Sequence, residues 1–174
     1  MPKPHVYRRK TNKKKDCPEA RLDSLVKRSI AAAYPGHAYI RKTHPDVYEE
    51  SGKPDFVGHI MGIHIEIEDK VSANYISGKQ KAQISHVNKT GGFAIAMIHD
   101  RKDDTYWMVM PDAVQSFSYK NREGWVKLSL IEYEGRSGKS KVLNLQPMTI
   151  LLASRILALK DLLHANPETH PSCP

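Results

Sequence analysis

The sequence predicts an α/β fold: a helix, a three-stranded meander, a second helix and a parallel strand, followed by extra β-strands and a C-terminal helix. Three observations predict it. Residues 54–60 and 63–69 read as two strands joined tightly around Met61-Gly62, as in a hairpin. Residues 77–90 turn to a helical pattern that stops at Gly91-Gly92, and 93–98 is an unbroken apolar run of strand length. Strand, helix and strand in that order require a crossover, expected right-handed with parallel strands.

The elements follow in chain order. Pro18-Glu19 open a first helix, with Leu22, Leu25, Val26, Ile30 and Ala33 at helical spacing and Pro35-Gly36 to close it. Tyr39-Ile40-Arg41 reads as a short strand, and a polar loop from 43 to 53 leads into the hairpin. Beyond the crossover, 106–110 and 125–133 read as two more strands. Pro147 then opens a long apolar helix to about 164, at a position where helices tolerate proline well. The expected division is a basic tail (1–15), a core (16–100), an extension packed on it (101–165) and a flexible end (166–174).

Charge is concentrated rather than spread. Lys3, Arg8, Arg9, Lys10, Lys13, Lys14 and Lys15 give the first fifteen residues +7 of the formal +8, with no acid among them. A near-neutral body with a basic arm suits a nucleic-acid binder, because each phosphate contact releases counterions. A solvated tail that only aids solubility is the alternative. No apolar run approaches the ~20 residues that span a bilayer, and no secretory signal is expected. Cys17 and Cys173 show neither a disulfide framework nor zinc spacing, so reduced thiols in a cytoplasmic setting are expected.

The chemistry-bearing stretch is Gly52-Lys53-Pro54-Asp55 followed by Ile63-His64-Ile65-Glu66-Ile67-Glu68-Asp69-Lys70. Alternation puts Ile63, Ile65 and Ile67 on one face and His64, Glu66, Glu68 and Lys70 on the other. If the hairpin turns at about 60–61, Asp55 lies opposite Glu66; a turn one residue later moves its partner toward Glu68. Either way carboxylates converge at one end of the sheet, which is costly without a counter-charge. A hard divalent cation resolves the conflict, since magnesium favours oxygen ligands and is usually held by one or two carboxylates. A merely solvated polar face is the alternative. Gly138-Lys139-Ser140 has the end of a phosphate loop, but Tyr133 stands where that motif needs glycine.

The ordered set Glu19, Pro54-Asp55, Glu66-Ile67-Glu68 and Gln80 resembles the PD-(D/E)XK nucleases, whose core is restriction-endonuclease-like. It looks most like their small phage and bacterial VRR-NUC branch, where a Gly-x-Pro-Asp turn, a Glu-x-Lys strand and a helical Gln follow closely. RecU-like Holliday junction resolvases share this core, and the continuation through Tyr106-Trp107-Met108-Val109-Met110-Pro111 is similar to theirs. The resemblance covers residues 19 to about 99. It implies an endonuclease hydrolysing DNA phosphodiester bonds with Mg2+ (or Mn2+), in a bacterial cell or phage-infected host. It implies metal ligation by Asp55, Glu66 and the carbonyl of Ile67, with Glu19 joining through water or a second ion. Gln80 would orient water or phosphate, and Lys53 would contact DNA beside the tail.

One position departs from the family pattern. With the motif starting at Glu66, its lysine is replaced by Glu68, which would serve as a further ligand or base. Lys70 is read as a strand-end lysine, or else as the source of the missing ammonium. Duplex or branched DNA and a second copy of the chain are the expected partners. The alternatives are a decayed nuclease that only binds DNA, and a sequence-reading homing or restriction endonuclease.

Overall fold

The computed structural model describes residues 17–43, 52–72, 76–135 and 138–165. The basic tail and the C-terminal residues 166–174 lie outside them.

Helix α1 (Pro18–Ala33) starts with proline in its first turn, where the missing N–H costs nothing. It buries Leu22, Leu25, Val26 and Ile30, spaced to form one stripe. Strands β1 (Ala38–Lys42), β2 (Phe56–Ile60) and β3 (Ile63–Val71) form the meander, β1 pairing antiparallel with β2 and β2 with β3. Helix α2 (Gly78–Lys89) crosses over to β4 (Phe93–Asp100), which lies parallel to β3. This is the predicted core order of helix, three-stranded meander, helix and parallel strand.

Strands β5 (Thr105–Val109) and β6 (Trp125–Leu128) continue the same sheet, whose order is β1-β2-β3-β4-β5-β6. The second extra strand departs from its expected span. Residues 125–133 read as one strand but divide at Ser129: β7 (Leu130–Gly135) leaves the main sheet and pairs with β8 (Gly138–Leu143). Cross-strand neighbours Glu132 with Lys141 and Glu134 with Lys139 match opposite charges. The Gly-Lys-Ser stretch is therefore the start of a strand. Helix α3 (Gln146–Ala165) ends the described chain.

Both faces of the central strands are covered, which is why β4 is an unbroken apolar run. On one face Ile63, Ile65, Ile67, Phe93, Ile95 and Met97 pack with α1, and Leu143, Leu145, Met148 and Leu152 join the same cluster. On the other, Ala94, Ala96 and Ile98 meet Ile84 and Val87 of α2, together with Val109, Val114 and Trp125. Burying each large aliphatic side chain contributes roughly 1.5–3 kcal/mol. Ser29 ties α1 to β8: its hydroxyl donates to the Leu25 carbonyl and accepts from the Leu143 N–H at 2.8 Å.

The hairpin turn decides what meets at the sheet end. Met61 (φ +52°) and Gly62 (φ +83°) both occupy the left-handed region, as a two-residue turn of matching twist requires. Ile60 thus pairs with Ile63, and Phe56 with Ile67. Extended by one residue, that register sets Asp55 against Glu68 rather than Glu66.

Candidate active site

Asp55 stands just ahead of β2 and is fixed from two sides. Thr43, past the end of β1, donates its N–H to the Asp55 carbonyl (2.9 Å) and its hydroxyl to the Pro54 carbonyl. The Asp69 N–H donates to Asp55 Oδ2 at 2.8 Å. Its carboxylate is thereby held against the C-terminal part of β3, beside Glu68.

Glu68 is 2% exposed. Lys70 Nζ lies 2.5 Å from Glu68 Oε1, and Gln80 donates its side-chain N–H to the same oxygen. Gln80 is itself locked by a capping box at the start of α2. The Ser77 N–H donates to Gln80 Oε1 (3.0 Å), and Ser77 Oγ accepts the Gln80 backbone N–H (3.2 Å). Both ends of the Gln80 amide are thus committed, one of them to Glu68.

Glu66, one step back on the same face, is engaged elsewhere. Gln83 donates to both of its carboxylate oxygens, at 3.1 and 3.0 Å, and His64 Nε2 lies 3.1 Å from Oε1. Gln80 and Gln83 share a face of α2 at i, i+3 and clasp Glu68 and Glu66, which share a face of β3 at i, i+2. Ile67 is fully buried between Phe56 and Ile95 in register. Of the expected cluster, the structure brings Asp55 and Glu68 together and sets Glu66 apart.

A second group of acids gathers at the C-terminal end of β3, on the side of α1. A cleft of about 420 Å³ is lined by Glu19 and Asp23 of α1, by Lys42, and by Asp55, Asp69 and Lys70. Glu19 therefore does share a cleft with Asp55. Lys42 pairs with Asp23. Burial pulls the Lys42 pKa down, but the bond to Asp23 and the fields of Asp23, Asp55 and Asp69 outweigh it and raise it. Both Asp69 carboxylate oxygens are enclosed and find no hydrogen-bond partner among the described residues. Burial, then the fields of Asp55 and Asp23, hold the Asp69 carboxyl well above its ordinary range.

Sequence reasoning did not assign roles to Asp69, Asp23, Lys42 or Gln83, and it left Lys70 between a strand-end lysine and the missing ammonium. Two signals were present in the letters. Glu68-Asp69-Lys70 itself spells Glu-x-Lys two residues beyond the motif as first placed, and Glu19 and Asp23 sit at i, i+4 on one helix face. Lys70, at the end of the strand, pairs with Glu68.

Burial raises the Glu68 pKa from 4.5 to about 7; Lys70 opposes the rise and Asp55 adds to it. A folded value above the unfolded one stabilises the fold fully below pH 4.5, and that contribution is lost as pH rises through about 7. Between pH 5 and pH 8 the metal-free protein should lose roughly 2–3 kcal/mol more than its Glu68→Gln variant. Urea unfolding of both proteins at the two pH values checks this; equal losses would count against it.

The residues fit a divalent cation in one respect that can be read directly. Among the described residues, acids at this sheet end outnumber Lys42 and Lys70, and the Asp69 carboxyl finds no donor. Among the described residues no three His, Cys, Asp or Glu side chains could hold an ion by themselves. Two carboxylates completed by water and substrate oxygen are the usual arrangement for magnesium. No helix of the described residues is long and apolar enough to cross a membrane.

No family model matches the chain, and no curated protein matches it. Among solved structures, the chain is similar to Hjc, a Holliday junction resolvase from the archaeal hyperthermophile Archaeoglobus fulgidus. Identity is 12%, over 52% of this chain and 77% of that one, with a TM-score of 0.38.

Proposed function

We propose that this protein is a metal-dependent endonuclease that hydrolyses DNA phosphodiester bonds. The observation that carries the reading is the hairpin register. It sets the carboxylate of a Pro-Asp turn beside the first residue of a Glu-x-Lys triplet, with the lysine ammonium 2.5 Å from that glutamate.

Asp55 and Glu68 would hold the ion, helped by the backbone carbonyl of Asp69 between Glu68 and Lys70. Magnesium bound there would activate water and neutralise charge developing on phosphate. Lys70 lines the cleft and would face a phosphate oxygen while orienting Glu68. Gln80 keeps Glu68 aimed, and Glu19 and Asp23 form the outer wall of the same cleft. The decayed-nuclease alternative drew on the loss of the motif lysine; with Asp55 beside Glu68, Lys70 would take that lysine's place.

Cutting both strands of a duplex or a branched DNA calls for two sites, hence for a symmetric pair of chains. Helix α3 exposes Ile150, Leu157 and Leu159, which supports that arrangement.

The test is cleavage of supercoiled, single-stranded and four-way-junction DNA. Activity should appear with magnesium or manganese and vanish on chelation. Cleavage that persists in chelator removes the metal from the reading, and no cleavage of any substrate removes the nuclease.

A further inference from the structure

A groove of about 620 Å³ runs between residues 52–54 and α2, on the sheet face opposite the acidic cleft. Among the described residues its lining holds Lys53, Lys79, Gln83 and His86, and no acid. Lys79, Gln83 and His86 stand at i, i+4 and i+7, one stripe along the helix. Helix α2 carries Lys79, Lys81 and Lys89 and no acidic residue along its length. Helix and loop also meet closely. Gly52 has φ +125°, and a Cβ there would lie 3.0 Å from Lys79 Cβ, so a glycine lets the loop close one end of the groove.

The groove ends on the candidate site through both walls. Pro54 on one wall is followed by Asp55, and Lys79 on the other by Gln80, which holds Glu68. Glu66, which Gln83 of the groove and His64 clasp, is buried, so it presents little charge to the groove.

We propose that this groove is the track along which a nucleic-acid phosphodiester backbone approaches Asp55 and Glu68. Lys53 and Lys79 would neutralise phosphates from opposite walls, and His86 would donate to a further one. From Lys79 to His86 the helix rises about 10 Å, roughly three steps of the 3.4 Å axial repeat of one DNA strand. The substrate strand therefore enters on the α2 side and ends at Asp55 and Lys70, which also line the cleft beneath α1. The inference rests on the nuclease reading for where the track leads, but not for what it binds.

The experiment reverses charge in the groove with Lys53→Glu/Lys79→Glu and outside it with Lys127→Glu/Lys160→Glu. Binding of fluorescein-labelled duplex DNA is measured in chelator across a salt series, and cleavage is measured with magnesium. The groove pair should weaken binding at least tenfold more than the control pair. Its slope of log affinity against log salt should shrink by about 2, as two phosphate contacts disappear. Cleavage should fall with the lost binding, because the same two lysines hold the substrate strand. A groove pair that binds like the control pair overturns the track, as does a parent that does not bind DNA. Groove-specific loss of binding by a parent that never cuts keeps the track and removes the nuclease; normal cutting with no groove effect does the reverse.

Discussion

Glu68→Ala is expected to lower magnesium-dependent DNA cleavage on the order of a thousandfold, while Glu66→Ala stays within about tenfold of the parent. The two glutamates share a strand face and lie one side-chain step apart, so neither charge nor face distinguishes them. The register does. Asp55 belongs beside Glu68, and Lys70 and Gln80 converge on Glu68 as well. Glu66 is occupied by Gln83 and His64.

Removing Glu66 should instead appear in stability. It leaves the Gln83 amide without its acceptor in a half-buried place, at a cost of about 1–3 kcal/mol. Removing Glu68 relieves a desolvated carboxyl and should leave the metal-free fold at least as stable at pH 8. Asp55→Ala should be as inactive as Glu68→Ala. Glu68→Lys is the sharpest variant, because it would restore a Glu-x-Lys triplet starting at Glu66. In the register seen here it places a second ammonium where a ligand belongs, and should be inactive. An active Glu68→Lys protein, or an inactive Glu66→Ala with normal folding, would return the motif to its earlier placement.

Gly58→Ala should cost about 3 kcal/mol or more in urea unfolding. A Cβ at Gly58 would come within 1.9 Å of the Tyr39 carbonyl oxygen and 2.7 Å of Ile40 Cα. Both are backbone atoms of β1, so no side-chain rotation can relieve the contact, and β1 must move away from β2. Since Thr43 lies just past β1 and holds the carbonyls of Pro54 and Asp55, cleavage should fall together with stability. Gly62→Ala is the comparison. Gly62 has φ +83° but nothing within 4 Å of its absent Cβ, so only the backbone penalty of about 1 kcal/mol applies. A Gly58→Ala protein within 1 kcal/mol of the parent would show that β1 yields more easily than its packing implies.

Elements whose burial repeats with a clear period were legible. Helix α1 begins and ends where its proline, apolar stripe and Pro35-Gly36 stop place it. The apolar run of β4 follows from cover on both faces, supplied by α1 and α2. Less legible was the division after Trp125. Leu130, Ile131 and Tyr133 look like core residues, yet β7 leaves the main sheet and exposes all three. Local propensity for a strand carries no information about which sheet it joins.

The site divides in the same way. The sequence by itself determined which side chains could do the chemistry: a Pro-Asp turn, acids and a lysine alternating on one strand, and a glutamine at the start of the next helix. It also determined that the acids would crowd one sheet end, because alternation in an extended strand allows little else. Which acid meets Asp55 was settled only by the tertiary structure. A one-residue change in the turn moves the opposing residue by two, and two residues along a strand is again the same face. Glu66 and Glu68 are therefore equivalent to any reading of periodicity. Met61, a residue with no special liking for positive φ, gives no local sign of the tight turn it completes. Packing of β1 on β2 and of α2 on β3 selects the register, and with it the glutamate that Lys70 and Gln80 attend.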